Sequence, residues 1–137
     1  MSRLALLATF FAFCVANTSF AETVTLDCKM TDLSRGGGWI PRVALVKVNT
    51  DSKEVQLLKP TSDQLNGRID SSTLIRDSAD KMMLRWVVKG TRSQSNQRTV
   101  AFKFRASIKK ATGAVSIVAT PLGYRNSFHG KGHCDIR

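Results

Sequence analysis

Acidic side chains are scarce in this sequence: ten Asp and Glu stand against twenty-one Lys and Arg, for a formal net charge of +11. That excess is more than solubility needs in a small domain, and it disfavours partners of like charge. Aromatics are also sparse, at 7% of residues. A core must therefore come mainly from Val, Ile, Leu and Met. Helical periodicity is nearly absent, which leaves β structure as the source of that core. Beyond the first twenty-one residues, no apolar run approaches the roughly 20 residues of a membrane-crossing helix. With 137 residues there is room for one ordinary domain and not for two.

The first stretch reads as a cleaved secretory signal. Arg3 supplies a positive start, Leu4 to Val15 is apolar apart from Thr9, and Ser19-Phe20-Ala21 places small residues at a cleavage site. The apolar part is about a dozen residues, too short to span a bilayer. Cys14 lies inside it with Phe13 before it, unlike a lipid-modified cysteine, which follows a small residue. Residues 1–21 are accordingly read as a signal peptide and 22–137 as a single domain. Processing removes Arg3 and no acid, so the mature balance is 20 bases to 10 acids. Localisation follows as periplasmic or secreted.

Three cysteines then become two, Cys28 and Cys134, and an oxidising compartment joins such a pair. A bridge needs Cα atoms within about 7 Å, so the first and last strands must be neighbours or face each other across the core. Adjacency closes a meander into a barrel.

Strand-like alternation recurs along the chain. Val24, Leu26, Cys28 and Met30 share one face; Met82, Leu84, Trp86 and Val88 share another; Val100, Phe102, Phe104, Ala106 and Ile108 a third. Strands are also expected over Trp39 to Val48, Glu54 to Leu58, Arg68 to Arg76 (whole or broken) and Ala114 to Thr120, with a short last one over His133 to Ile136. Thr31 to Gly38 and the glycine-rich Leu122 to Gly132 read as loops. Pro60 to Gly67 reads as a loop with room for one helical turn. The expected fold is all-β: a small antiparallel barrel of about seven to nine strands, or alternatively a sandwich, with one disulfide.

The run Ala106 to Ala114 (ASIKKATGA), followed by a strand and then Gly132-His133-Cys134, resembles a pattern of small secreted proteobacterial β-proteins. They pair an I-x-x-x-T-G turn with a terminal Gly-x-Cys and carry a partner cysteine near the mature N-terminus. Many have Asp-Arg or Asn-Arg after the Ile, where Lys109-Lys110 stand here. The resemblance implies fold and compartment and brings no activity. Tyr124 to Gly132 (YRNSFHGKG) also resembles a stretch of periplasmic inhibitors of c-type lysozyme. Those lysozymes are basic, and a partner of +10 would be repelled.

No catalytic constellation stands out. Nothing like a nucleophile elbow is present, and the only histidines, His129 and His133, sit among glycines that make their i, i+4 spacing non-helical. The chain is therefore read as a binding protein and not an enzyme, without cofactor or metal. What remains is a basic face. Arg85, Lys89, Lys103, Arg105 and Lys109 point away from the apolar rows of the two clearest strands, which would set Arg85 close to Lys103 in a hairpin. Like charges across strands cost stability, so their presence points to an anion, although edge lysines also serve solubility. The expected partner is an anionic envelope polymer, a lipid headgroup or an acidic protein; export argues against cytosolic nucleic acid. Two other readings stand beside it. One is a carrier whose pocket, lined by Trp86, Phe102 and Phe104, takes a small apolar ligand; the other is an inhibitor of an exported enzyme.

Overall fold

The computed structural model describes residues 22–35, 37–60, 67–90 and 101–137. The expected signal peptide, the expected helical turn within 61–66 and Val100 lie outside the described residues.

Eight strands follow in order: β1 (Thr23–Leu33), β2 (Val43–Asn49), β3 (Val55–Lys59), β4 (Arg68–Asp77), β5 (Lys81–Lys89), β6 (Ala101–Lys109), β7 (Ala114–Pro121) and β8 (Phe128–Ile136). They form one antiparallel sheet in the order β3-β2-β1-β8-β7-β6-β5-β4. The meander thus closes between its first and last strands and stays open between β3 and β4. That seam is bridged sparingly, by a Glu54–Thr73 pairing, by Leu74 N–H to Lys53 O at 3.0 Å and by Ser72 Oγ to Val55 O at 2.6 Å. The result is a nearly closed barrel, as the sequence led us to expect. Every other edge is paired, which removes the templates for aggregation.

Period-two alternation explains the interior. Leu26, Cys28 and Met30 from β1 meet Leu84, Trp86 and Val88 from β5 and Phe102, Phe104 and Ile108 from β6 inside one buried core. Trp86 stacks on Phe104 with ring centroids 5.3 Å apart, and Phe102 joins Phe104 to Trp39 and Phe128. These aromatics fill the half of the barrel nearer the β1–β2 and β7–β8 connections. The other half is aliphatic. The Trp86 indole N–H is buried with no acceptor among the described residues, a desolvation cost of about 1–3 kcal/mol that the packing must offset.

Cys28 and Cys134 are bonded, directly opposite one another in the β1–β8 ladder. Thr25 and Arg137 exchange both backbone hydrogen bonds. Counting along the ladder, Cys28 and Cys134 therefore occupy a non-hydrogen-bonded position, where facing residues approach most closely. Their Cα atoms are 3.9 Å apart.

Several boundaries differ from the sequence reading. β1 runs on to Leu33 through a bulge after Met30, into residues expected as loop. Trp39 is not in a strand: it ends a single 3-10 turn over Gly37–Trp39, half-buried with its ring 4.4 Å from that of Phe102. β4 is one strand bent by two bulges. The largest difference is β8, which begins at Phe128 and includes Gly130 and Gly132. These glycines do not break the strand, because they are what lets it fit. A Cβ on Gly132 would lie 1.9 Å from the Lys29 carbonyl oxygen, and one on Gly130 would press on Leu33 and Ile40.

Candidate functional site

Hairpin β5–β6 carries the basic face. Its register is unbroken, with Arg85 opposite Arg105, Val87 opposite Lys103 and Lys81 opposite Lys109. The Lys110 N–H donates to Asp80 O just beyond the strands, which makes the even-numbered pairs the hydrogen-bonded ones. Arg85 and Arg105 therefore meet at a non-hydrogen-bonded position, their Cα atoms about 4.5 Å apart. Like charges directly opposite each other on neighbouring strands are destabilising, and both side chains are exposed. Lys103 is one step along the same face of β6. Among the described residues, none of the three makes an ion pair.

The other two expected members stand apart. Lys89 lies near the opposite end of the hairpin and is engaged by Asp70, 3.1 Å away, at a bulge of β4. Lys109 faces Lys81 at the far end, which makes a second like-charge pair. The eight residue steps from Lys81 to Lys89 span about 26 Å of strand, so the five predicted residues share a face but not a single site. Its centre is Arg85, Arg105 and Lys103. Lys81 went unnoticed in the sequence because only the register sets it against Lys109. Thr73 flanks Arg85 on β4 and Val118 flanks Arg105 on β7, so no acid borders the central pair in its own row.

A second feature lies at the barrel mouth formed by the chain ends and the β4–β5 turn. A cavity of about 370 Å³ has Leu26, Met82 and Ile108 as its floor, and Glu22, Asp77 and Lys110 at its rim. Asp77 and Lys110 are ion-paired there. Trp86, Phe102 and Phe104, expected to line a pocket, do not line this one; they pack against each other towards the opposite end. His129 and His133 fall four residues apart on an extended strand, about 13 Å of rise, too far to share a metal ion. No metal-ligating cluster occurs among the described residues.

The residues behind the family resemblance prove to be architectural. Gly113 has φ of 75°, and a Cβ there would lie 2.3 Å from the Cys134 carbonyl oxygen. The Cys134 N–H donates to Gly113 O at 2.8 Å, and Thr112 Oγ1 accepts from Ala114 N–H in the same turn. The T-G turn and the Gly-x-Cys therefore fit against each other around the disulfide. What the fold defines is a small, disulfide-linked, up-and-down β-barrel. No family model, curated protein or solved structure matches the chain.

Proposed function

We propose that this barrel is an exported basic protein that works by binding an anionic partner, either a cell-envelope component or an acidic protein surface, across the outward face of β5–β6. The observation that carries this reading is the Arg85–Arg105 pair: two cations directly opposed, exposed, and without an acid beside them. Guanidinium forks suit phosphate, sulfate and carboxylate oxygens, and an anion between them would relieve their mutual repulsion. Lys103 adds a third charge within reach. The disulfide fits an oxidising compartment and the leader fits export.

Binding of this kind releases counterions, so affinity must fall as salt rises. The test is to titrate the protein against lipopolysaccharide, anionic vesicles and a nucleic-acid duplex at low and at about 0.15 M salt, where screening acts within about 8 Å. The R85Q/K89Q/K103Q/R105Q/K109Q variant, whose changes lie on exposed positions and leave the fold nearly intact, runs beside it. One ligand is expected to persist at the higher salt and to be lost by the variant. If all three wash off together, or the variant binds every one of them as the parent does, the face serves solubility alone.

A second reading, a carrier of a small apolar ligand, is favoured by the mouth cavity, whose 370 Å³ falls within the range of ligand pockets. An uncharged alkyl probe bound equally by the parent and the glutamine variant, but excluded by Met82→Trp, would move that reading to first place.

A further inference from the structure

Charge is distributed unevenly along the barrel axis. The chain ends and the turns β2–β3, β4–β5 and β6–β7 lie at one end; the connections β1–β2, β3–β4, β5–β6 and β7–β8 lie at the other. At the turn end the acids Glu22, Asp51, Glu54, Asp77, Asp80 and Asp135 are matched by as many bases. At the loop end Arg35, Arg42, Lys59, Arg68 and Arg125 are exposed and make no ion pair among the described residues. The described acids there are Asp32 and Asp70, and Asp70 is held by Lys89. The net positive charge is thus carried by the loop end and the barrel wall.

The same end displays apolar side chains. Pro121 to Tyr124 form a turn closed by Tyr124 N–H to Pro121 O, with Gly123 at φ 90°, the conformation a type II turn needs at its third residue. That turn presents Leu122 at 45% and Tyr124 at 65% exposure, and Val43, at the start of β2 on the same end of the barrel, is 46% exposed. Because β1 pairs with β8, this turn lies beside the β1–β2 connection. The two segments are tied by Ser34 N–H to His129 O at 2.8 Å and by His129 N–H to Ser34 Oγ at 2.9 Å.

We propose that the loop end is a docking surface for an anionic lipid bilayer, with Leu122 and Tyr124 entering the headgroup layer and Arg35, Arg42 and Arg125 meeting lipid phosphates. The inference rests on the reading that the protein's partners are anionic, and adds to the β5–β6 face a second surface, at the loop end, with the class of anion it meets. A dissolved polyanion makes no use of an exposed Leu beside a Tyr, whereas a membrane interface favours that pairing, flanked by basic side chains. A neutral turn end and a positive loop end also orient the barrel on a negative surface. Standing on that end, the barrel keeps the Arg85–Arg105 face sideways and open to a second anion.

The experiment uses the disulfide-bonded chain from Glu22 to Arg137, which contains all eight strands. It is sedimented at about 0.15 M salt with vesicles of phosphatidylcholine, alone or mixed equally with phosphatidylglycerol. Binding to the mixed vesicles alone is expected. The R35Q/R42Q/R125Q variant loses about a hundredfold in affinity, and R85Q/R105Q less than about threefold. The emission of a Tyr124→Trp variant is quenched further than the parent's when the acyl chains carry bromine. Equal loss in the two charge variants, or no added quenching, overturns the proposal. A polyphosphate titration run in parallel separates the failures. Polyphosphate bound while vesicles are ignored sinks bilayer docking and leaves the anionic partner standing; neither bound sinks both.

Discussion

Replacing Cys28 and Cys134 together by serine is expected to lower the unfolding free energy by about 4 kcal/mol and the melting temperature by about 15 °C or more. The bond closes a loop with a sequence separation of 106, and cross-linking so long a loop removes much of the unfolded chain's entropy. It also joins β1 to β8, the pairing that converts the meander into a barrel. With a total stability of about 5–15 kcal/mol for a domain of this size, the loss is a large fraction. Thermal unfolding with and without reductant checks it: the reduced parent and the double variant should melt together, well below the oxidised parent. An oxidised parent that melts with the double variant would mean that the bridge does not stabilise the barrel.

Gly132→Ala is expected to destabilise by about 3 kcal/mol or more. The added methyl would sit 1.9 Å from the Lys29 carbonyl oxygen and 2.8 Å from the Met30 Cα, and neither is a flexible side chain that could move aside. Relief requires β1 and β8 to separate two residues from the disulfide, at the bulge after Met30. Gly38→Ala supplies the control, because nothing lies within 4 Å of a Cβ there and its backbone is not left-handed. That change should stay within about 0.5 kcal/mol of the parent. Chemical denaturation of the two variants decides the point, and similar midpoints would contradict the close approach.

The glycines of β8 also show where the sequence stops being legible. β5 and β6 could be read directly, since Met82 to Lys89 and Phe102 to Lys109 alternate without interruption and one face of each is buried. β8 could not. Gly130 and Gly132 look like loop residues until the neighbouring strand shows what would collide with a side chain. The apolar residues that follow Trp39 suggest a strand there, yet its ring packs on the core from a 3-10 turn. The disulfide was deducible from two cysteines at opposite ends of the chain; it left the first and last strands either adjacent or facing across the core, and the structure makes them adjacent.

For the candidate site, the alternation placed all five basic residues on the outward side correctly. It could not give their spacing. Whether Arg85 faces Lys103 or Arg105 depends on how many residues the β5–β6 connection absorbs, and nothing in its polar sequence fixes that number. The structure pairs Arg85 with Arg105 directly, separates Lys89 and Lys109 by most of the hairpin, and brings in Lys81. A face read as five equivalent charges is a compact centre of three with two outliers. The alternative reading set Trp86, Phe102 and Phe104 around a pocket; among the described residues these large, adjacent rings pack on one another, and the cavity described at the other mouth is floored by aliphatic side chains.

Binding through the β5–β6 face is tested most directly by mapping backbone amide shifts of the 15N-labelled protein during titration with polyphosphate at about 0.15 M salt. The prediction is that the largest shifts fall on Arg85, Lys103 and Arg105 and on their flanking neighbours Thr73 and Val118, and that they saturate. Shifts confined to Leu26, Met82 and Ile108, or none above the noise, would contradict it.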